Sequence, residues 1–444
     1  MNPIQSPAIT FTFRSYSFDR TTGDAQFVYA IDEQEFVERV KFPLPAVLPE
    51  GIDVALDRAL FALHLIGGVS YYKAKLPPKI VVASGKLTKD EAVFWDKLYT
   101  MGLGEFFFKN DLDFCDYIHF PAEIEARVVG ETAGEGALLP IGGGKDSLVA
   151  IEMLREGGKA FDLVMLGKHA RIREVAAEVG KSLMVIEREL DAKLFELNKQ
   201  GAWNGHVPIT AYVSLASAIV AILHGKRDVV FANERSANIP NVVVDGVSIN
   251  HQYSKSIEVE RELQAYIHAS VSRNVNVFSL LRPFSELDIA RRFAANGKYF
   301  MIFSSCNRNY SQSGAPTVTR WCGKCPKCAF VFIILAAFIP RRKMVEIFGE
   351  DLLLKSELLP LYQDLLGCGV MKPFECVADA DEVIAAFALV EGRGEYDDSP
   401  IMQWFVENVL ANRKDLDALI KQELTPSDEH AMPEEYSAIA YASR

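Results

Sequence analysis

Strand-like apolar segments lie around residues 11–13, 25–31 and 36–42. They are followed by a stretch over 53–65 whose apolar residues recur at three- and four-residue spacing, the mark of an amphipathic helix. A second helix is expected after Thr88-Lys89-Asp90-Glu91, where a threonine precedes two acidic residues at a helix start. From about residue 136 the pattern changes. Short apolar runs at 137–141, 163–166, 183–186, 229–232 and 275–280 alternate with helical stretches beginning near Lys145, Ala170, Ala211 and Ile257. Such alternation predicts parallel strands joined by helical crossovers.

The expected fold is therefore α/β: a doubly wound, Rossmann-like parallel sheet of five strands. At 444 residues the chain exceeds one ordinary core. Three parts are expected: an α+β domain over 1–130, the parallel α/β domain with a cysteine motif at its end over 131–328, and a helical region over 329–444. The polar stretch from Thr425 is expected to be loosely held. The apolar run 329–339 is too short to span a bilayer and reads as a buried helix.

Hydrophobic residues make up 49% and charged residues 24%, the mix of an ordered globular protein. A net charge of −12 argues against a protein that wraps a nucleic acid backbone, which needs a basic face. The first residues, Met1 to Ser6, carry no basic segment and no apolar stretch behind them, so a cytoplasmic location without membrane contact is expected. Oligomeric state is not legible.

In doubly wound sheets ligands sit beyond the carboxyl ends of the strands, where strand order reverses. Two polar clusters fall at such ends: Gly142-Gly143-Gly144-Lys145-Asp146-Ser147 after the first run and Asn233-Glu234-Arg235-Ser236 after the fourth. Three glycines between a strand and a helix let backbone N–H groups approach an anion from a helix N-terminus. The common nucleotide loop would need glycine at Leu139 and a hydroxyl residue at Asp146. The segment instead resembles the S-G-G-x-D-S loop of the ATP pyrophosphatase (PP-loop) superfamily, whose members cut ATP between the α- and β-phosphates and adenylate an acceptor. Here the leading serine is Gly142, which removes one hydroxyl contact that Lys145 or a backbone N–H has to replace.

Seven cysteines occur, and Cys322, Cys325 and Cys328 share one tight loop that Cys306 can complete to a tetrahedral site. A four-thiolate set suits structural zinc, and the same set can carry an iron–sulfur cluster. The arrangement is similar to the zinc motif of 7-cyano-7-deazaguanine synthase, another ATP pyrophosphatase, and that resemblance favours Zn²⁺. Cys115, Cys368 and Cys376 read as ordinary buried thiols.

Several segments together resemble the UDP-N-acetylmuramoyl-L-alanyl-L-glutamate epimerase family (MurL type) of peptidoglycan precursor synthesis. They are residues 63–71, 141–147, 195–206, 233–237, 250–255, 280–283 and 321–328. The resemblance implies inversion of the terminal L-glutamate of the nucleotide-linked dipeptide, with ATP and Mg²⁺ used and AMP and pyrophosphate released. Adenylating the carboxylate beside Cα removes its negative charge and acidifies the Cα–H. Bases on both faces then invert the centre.

Within the matching segments, His206, Glu234, His251 and Lys255 are the candidates for proton transfer. Asn204, Arg235, Arg282 and Lys324 are the candidates for binding the anionic UDP-linked substrate. Two other readings compete. One is a nucleobase- or tRNA-modifying ATP pyrophosphatase, as the zinc motif alone suggests. The other is a zinc-bearing interaction module with a decayed nucleotide loop.

Overall fold

The computed structural model describes residues 1–309 and 320–442. Nine strands form its central sheet: β1 (Thr10–Phe18), β2 (Asp24–Ile31), β3 (Gln34–Lys41), β4 (Lys79–Val82), β5 (Ala137–Pro140), β6 (Phe161–Leu166), β7 (Leu183–Glu189), β8 (Asp228–Phe231) and β9 (Asn276–Ser279). Their order is β9-β8-β5-β6-β7-β3-β2-β1-β4. Strands β5 to β9 are mutually parallel. The order reverses beside β5, so the crevice at the carboxyl ends of β5 and β8 is the topological switch point.

The expected five-strand sheet does not stand alone, which corrects the sequence reading. The antiparallel strands β1 to β3 continue it, because Arg39–Lys41 of β3 pair antiparallel with Glu187–Glu189 of β7. A parallel sheet ending at β7 would expose a row of unpaired backbone groups, and β3 covers that edge. The junction joins residues about 150 positions apart in sequence, a pairing that local patterning does not reveal.

Successive strand residues face opposite sides of a sheet. Accordingly Leu138 enters one core with helices Asp53–Tyr72 and Ile209–Leu223, whereas Leu139 enters the other with Lys145–Glu156 and Pro326–Ala336. Helix Asp53–Tyr72 runs beyond the expected end at Leu65, through Gly67 and Gly68. A Cβ on Gly68 would lie 2.3 Å from the Phe13 ring, so the missing side chain lets this helix lie close on the sheet. By length and composition it could cross a membrane, but 83% of its apolar window is buried inside the fold.

The run at 329–339 falls largely within the buried helix Pro326–Ala336, as expected. The stretch after Thr425 is not loosely held. Helix Glu434–Ala442 docks Tyr436 against Phe278, with ring centroids 4.8 Å apart, and the tyrosine hydroxyl donates to Asp228 Oδ2 at 2.9 Å. Its amphipathic pattern is short, and its partner lies in the sheet over 200 residues earlier.

Candidate active site

The turn after β5 opens into the crevice. Gly143 adopts φ +76°, a left-handed conformation costly for residues with a Cβ, and Gly144 caps helix Lys145–Glu156. A Cβ on Gly144 would stand 2.7 Å from Ser305 Oγ, whereas one on Gly142 would meet nothing within 4 Å. The Ser304 N–H donates to Gly143 O at 3.1 Å and ties the turn to the strand-free segment before Cys306. Ser147 Oγ donates to Gly144 O at 3.0 Å.

Lys145 does not point out of this turn. Its ammonium is buried and paired with both Asp146 and Glu286. Burial alone would lower its pKa, but the two carboxylates outweigh burial and hold it above the ordinary value. Lys327, at the start of helix Pro326–Ala336, reaches the other oxygen of Glu286 at 3.4 Å and also donates to the Cys376 carbonyl.

Glu234, just beyond β8, is buried. Burial and then the nearby Glu286 raise its pKa, favouring the protonated acid. Arg282 holds this region from beneath: it donates to Glu234 O at 2.6 Å and to Lys255 O at 2.5 Å, and it pairs with Glu260 Oε2 at 2.7 Å. Its guanidinium is thus consumed inside the fold, and it positions Glu234 and Lys255 instead of meeting a substrate anion. Arg235 is likewise engaged, by Glu423 Oε2 at 2.7 Å and Thr425 O at 3.3 Å.

The Lys255 ammonium lies 3.1 Å from Cys376 Sγ. Burial would lower the Lys255 pKa, yet Cys376 and Glu234 outweigh burial and raise it. His251 also hydrogen-bonds Cys376, and its Nδ1 lies 2.5 Å from Glu105 Oε2. Burial disfavours the charged imidazole, but Cys376 and Glu105 bring its pKa up to about 9. Glu105 responds in the opposite sense: burial pushes it up, and His251 outweighs that and draws it down to about 2.

His206 Nδ1 stands 3.6 Å from the same carboxylate oxygen, with its ring centroid 4.5 Å from that of His251. Burial and the neighbouring charged His251 press its pKa down to about 4, so it is neutral. The His206 loop is fixed by Lys73, which follows helix Asp53–Tyr72 and donates to Asn204 Oδ1 and Gly205 O at 2.7 Å each. Asn204 therefore serves loop geometry directly. Glu105 also pairs with Lys109 at 2.5 Å, so the Glu105, His206 and His251 group is flanked by ammonium groups, a poor setting for a cation.

All four proton-transfer candidates thus join one partly buried strip running from the glycine turn to His206. Lys324 does not; it is exposed on the cysteine loop, and Lys327 is the lysine that enters the strip. Sequence reasoning also missed Glu286, Glu105, Lys73 and Cys376. The three solitary cysteines are not all buried: Cys115 and Cys368 are exposed and Cys376 is partly so. An acid two residues from Pro283-Phe284 and a cysteine in an irregular segment carry no local signal. A surface cleft among Thr132, Arg227, Arg273 and Asn276 lies elsewhere and holds none of these groups.

The sulfurs of Cys306, Cys322, Cys325 and Cys328 converge within 4.8 Å of one another, and Cys322 Sγ lies 3.7 Å from Cys328 Sγ. A tetrahedron with metal–sulfur bonds of about 2.3 Å has sulfur separations of about 3.8 Å, so the set fits a four-thiolate metal. Helix Pro326–Ala336 begins inside this knot, which thereby fixes Lys327 against Glu286.

Residues 4–280 match the family model described as the MurL N-terminal domain, and residues 302–419 match that of the MurL C-terminal domain. The chain belongs to the MurL family. A relative from Xanthomonas oryzae pv. oryzae (strain MAFF 311018), named UDP-N-acetyl-alpha-D-muramoyl-L-alanyl-L-glutamate epimerase, is 40% identical over 96% of this chain and 95% of its own length. A relative of the same name from Salinispora tropica is 40% identical over 90% of this chain and 88% of its own length. The MurL models meet near residues 280–302, close to the junction of β9 with helix Glu286–Ala294, which delivers Glu286.

Proposed function

We propose that this chain is an epimerase that inverts the terminal L-glutamate of UDP-N-acetylmuramoyl-L-alanyl-L-glutamate to D-glutamate in peptidoglycan precursor synthesis. ATP and Mg²⁺ are used, and AMP and pyrophosphate are released. The observation that carries the reading is the continuity of the site. A glycine turn at the switch point leads, through Asp146, Lys145 and Glu286, into a partly buried strip of acids and bases with opposed protonation preferences. The names of the relatives support the same reaction.

The turn belongs, on this reading, to the ATP pyrophosphatase type. Its backbone amides face the β- and γ-phosphates while a carboxylate oxygen of the glutamate attacks the α-phosphorus and pyrophosphate departs. The resulting mixed anhydride lacks the carboxylate's negative charge, so the Cα–H can be removed. One group takes that proton, a second returns one to the opposite face, and water cleaves the anhydride to free AMP. Glu234, kept protonated by burial, suits the donor. Lys255 and His251, kept cationic, suit stabilisation of the enolate oxygen as charge develops.

Asp146 is the natural carboxylate to face Mg²⁺, which when bound neutralises phosphate charge. Zn²⁺ in the four-cysteine knot is structural, because four thiolates leave no open position for water. A nucleotide-linked substrate and a thiolate metal knot both suit the cytoplasm.

The test is incubation of the protein with the UDP-linked dipeptide, ATP and Mg²⁺, following D-glutamate, AMP and pyrophosphate. D-glutamate accompanied by AMP is the expected result. D-glutamate without AMP would remove the adenylate from the mechanism. AMP with a new amide or thio product would favour a nucleobase-modifying synthase, and no nucleotide turnover would favour an interaction module.

A further inference from the structure

Cys376 is placed unlike the other solitary cysteines. It lies in the irregular segment between helices Leu359–Leu365 and Ala380–Glu391. Its sulfur is 3.1 Å from the Lys255 ammonium and hydrogen-bonded by His251, while Lys327 donates to its backbone carbonyl. Two cationic side chains of the 251–255 segment therefore face one thiol while a third, from the start of helix Pro326–Ala336, holds its backbone, and the residue is partly exposed. A structural cysteine needs none of this; a buried thiol packs as a small hydrophobe.

We infer that Cys376 is one of the two proton-transfer groups, its sulfur taking the proton from the glutamate Cα. The inference rests on the epimerase reading and assigns a residue to its central step. The Cα–H bond breaks as the S–H bond forms, and its electron pair moves into the acyl carbonyl of the mixed anhydride as an enolate. The enolate carbon collects a proton from the acid on the opposite face; after product forms, the Cys376 thiol releases its proton to solvent and solvent reprotonates that acid. Atoms and charge balance without a redox partner.

The surroundings suit the task. Burial pushes the thiol's pKa up, but Lys255 and then His251 outweigh burial and bring it down to about 6, so the thiolate prevails at neutral pH. Glu375 is the facing acid from the same segment; burial raises its pKa, so it adds little opposing charge. His251 is in turn held by Glu105, which fixes its orientation toward the sulfur.

Cys376→Ala is assayed in D₂O with ATP, Mg²⁺ and, separately, the L- and D-glutamate forms of the UDP-linked dipeptide. AMP formation should persist with both. Cα deuterium incorporation should fall by at least about 100-fold from one epimer, the usual scale of general base catalysis, and epimerisation should stop in both directions. Iodoacetamide on the wild-type protein supplies the second measurement: carboxamidomethylation at Cys376, located by mass spectrometry, should suppress exchange from that same epimer, stop epimerisation and leave AMP release.

Exchange at the wild-type rate in Cys376→Ala would overturn the inference, as would loss of AMP and exchange together, which would make Cys376 a structural part of the site. A thioester on Cys376 trapped by acid quench would also overturn it by making the sulfur a nucleophile. Absence of AMP and exchange in the wild type would instead refute the epimerase reading itself.

Discussion

Arg188 of β7 lays its guanidinium on the Glu38 carboxylate of β3 in a two-pronged hydrogen bond, 2.9 Å at each oxygen, across the antiparallel seam where the parallel strands meet the N-terminal ones. Glu38 is fully buried, and Tyr212 donates to it at 3.0 Å. Removing one partner leaves a buried charge uncompensated, which costs about 3–5 kcal/mol. Glu38→Ala should therefore lower the urea midpoint by a corresponding amount, while AMP formation per folded molecule stays at the wild-type level. An unchanged midpoint would show that the seam does not depend on this pair.

The glycine turn gives two opposed expectations. Gly142→Ser places a side chain in open space, where the ATP pyrophosphatase pattern carries serine, so the fold and AMP release should both survive. Gly143→Ala forces a Cβ onto a φ of +76°, at a cost of about 1–2 kcal/mol, and should suppress AMP release by displacing the amides that face phosphate. Circular dichroism and AMP formation measured on both variants check this. Equal activity in the two would mean that the turn does not hold the nucleotide.

Metal analysis should find one zinc per chain, and Cys328→Ser should lose it. Because the knot anchors the helix that delivers Lys327 to Glu286, metal loss should lower the melting temperature and AMP release together. Retention of full stability by the metal-free protein would remove the knot from the account.

The protonation states give a pH window. Cys376 must be thiolate, a condition met as pH rises through about 6, and His251 must stay protonated, a condition lost as pH rises through about 9. Cα exchange should follow a bell between those values, which belong to the coupled group and not to either residue alone. Stability follows the same signs. The depressed thiol pKa contributes stability that is full above the unfolded value of about 8.5 and is lost as pH falls through about 6. The raised His251 pKa contributes stability that is full below the unfolded value of about 6.5 and is lost as pH rises through about 9. A flat exchange profile across pH 5 to 10 would contradict both assignments.

The parallel strands, the glycine turn and the cysteine knot were legible because each is local: a short apolar run, three consecutive glycines, or a fixed spacing of thiols. Helix Asp53–Tyr72 outran its expected end because packing of Gly68 on Phe13 overrides glycine's weak helix preference. Arg282 looked like a substrate ligand because an arginine beside a strand end reads the same whether it faces outward or, as here, Glu260 and two backbone carbonyls. Lys324 and Lys327 are indistinguishable by composition, and only the start of the buried helix turns Lys327 inward. Cys376 and Glu105 acquire meaning solely from His251, which lies more than a hundred residues from each.

The acyl-adenylate is tested most directly with substrate carrying ¹⁸O in the terminal glutamate's carboxylate next to Cα. Attack of that carboxylate on the α-phosphorus makes one of its oxygens the bridge of the anhydride: water attacking the acyl carbon leaves that ¹⁸O on AMP, whereas water attacking phosphorus returns it to the glutamate. The expected result is AMP bearing ¹⁸O in its phosphate whenever water attacks the acyl carbon, together with D-glutamate that has lost it. D-glutamate formed at the normal rate with both ¹⁸O atoms kept and no ¹⁸O in AMP would contradict an acyl-adenylate opened by water at the acyl carbon.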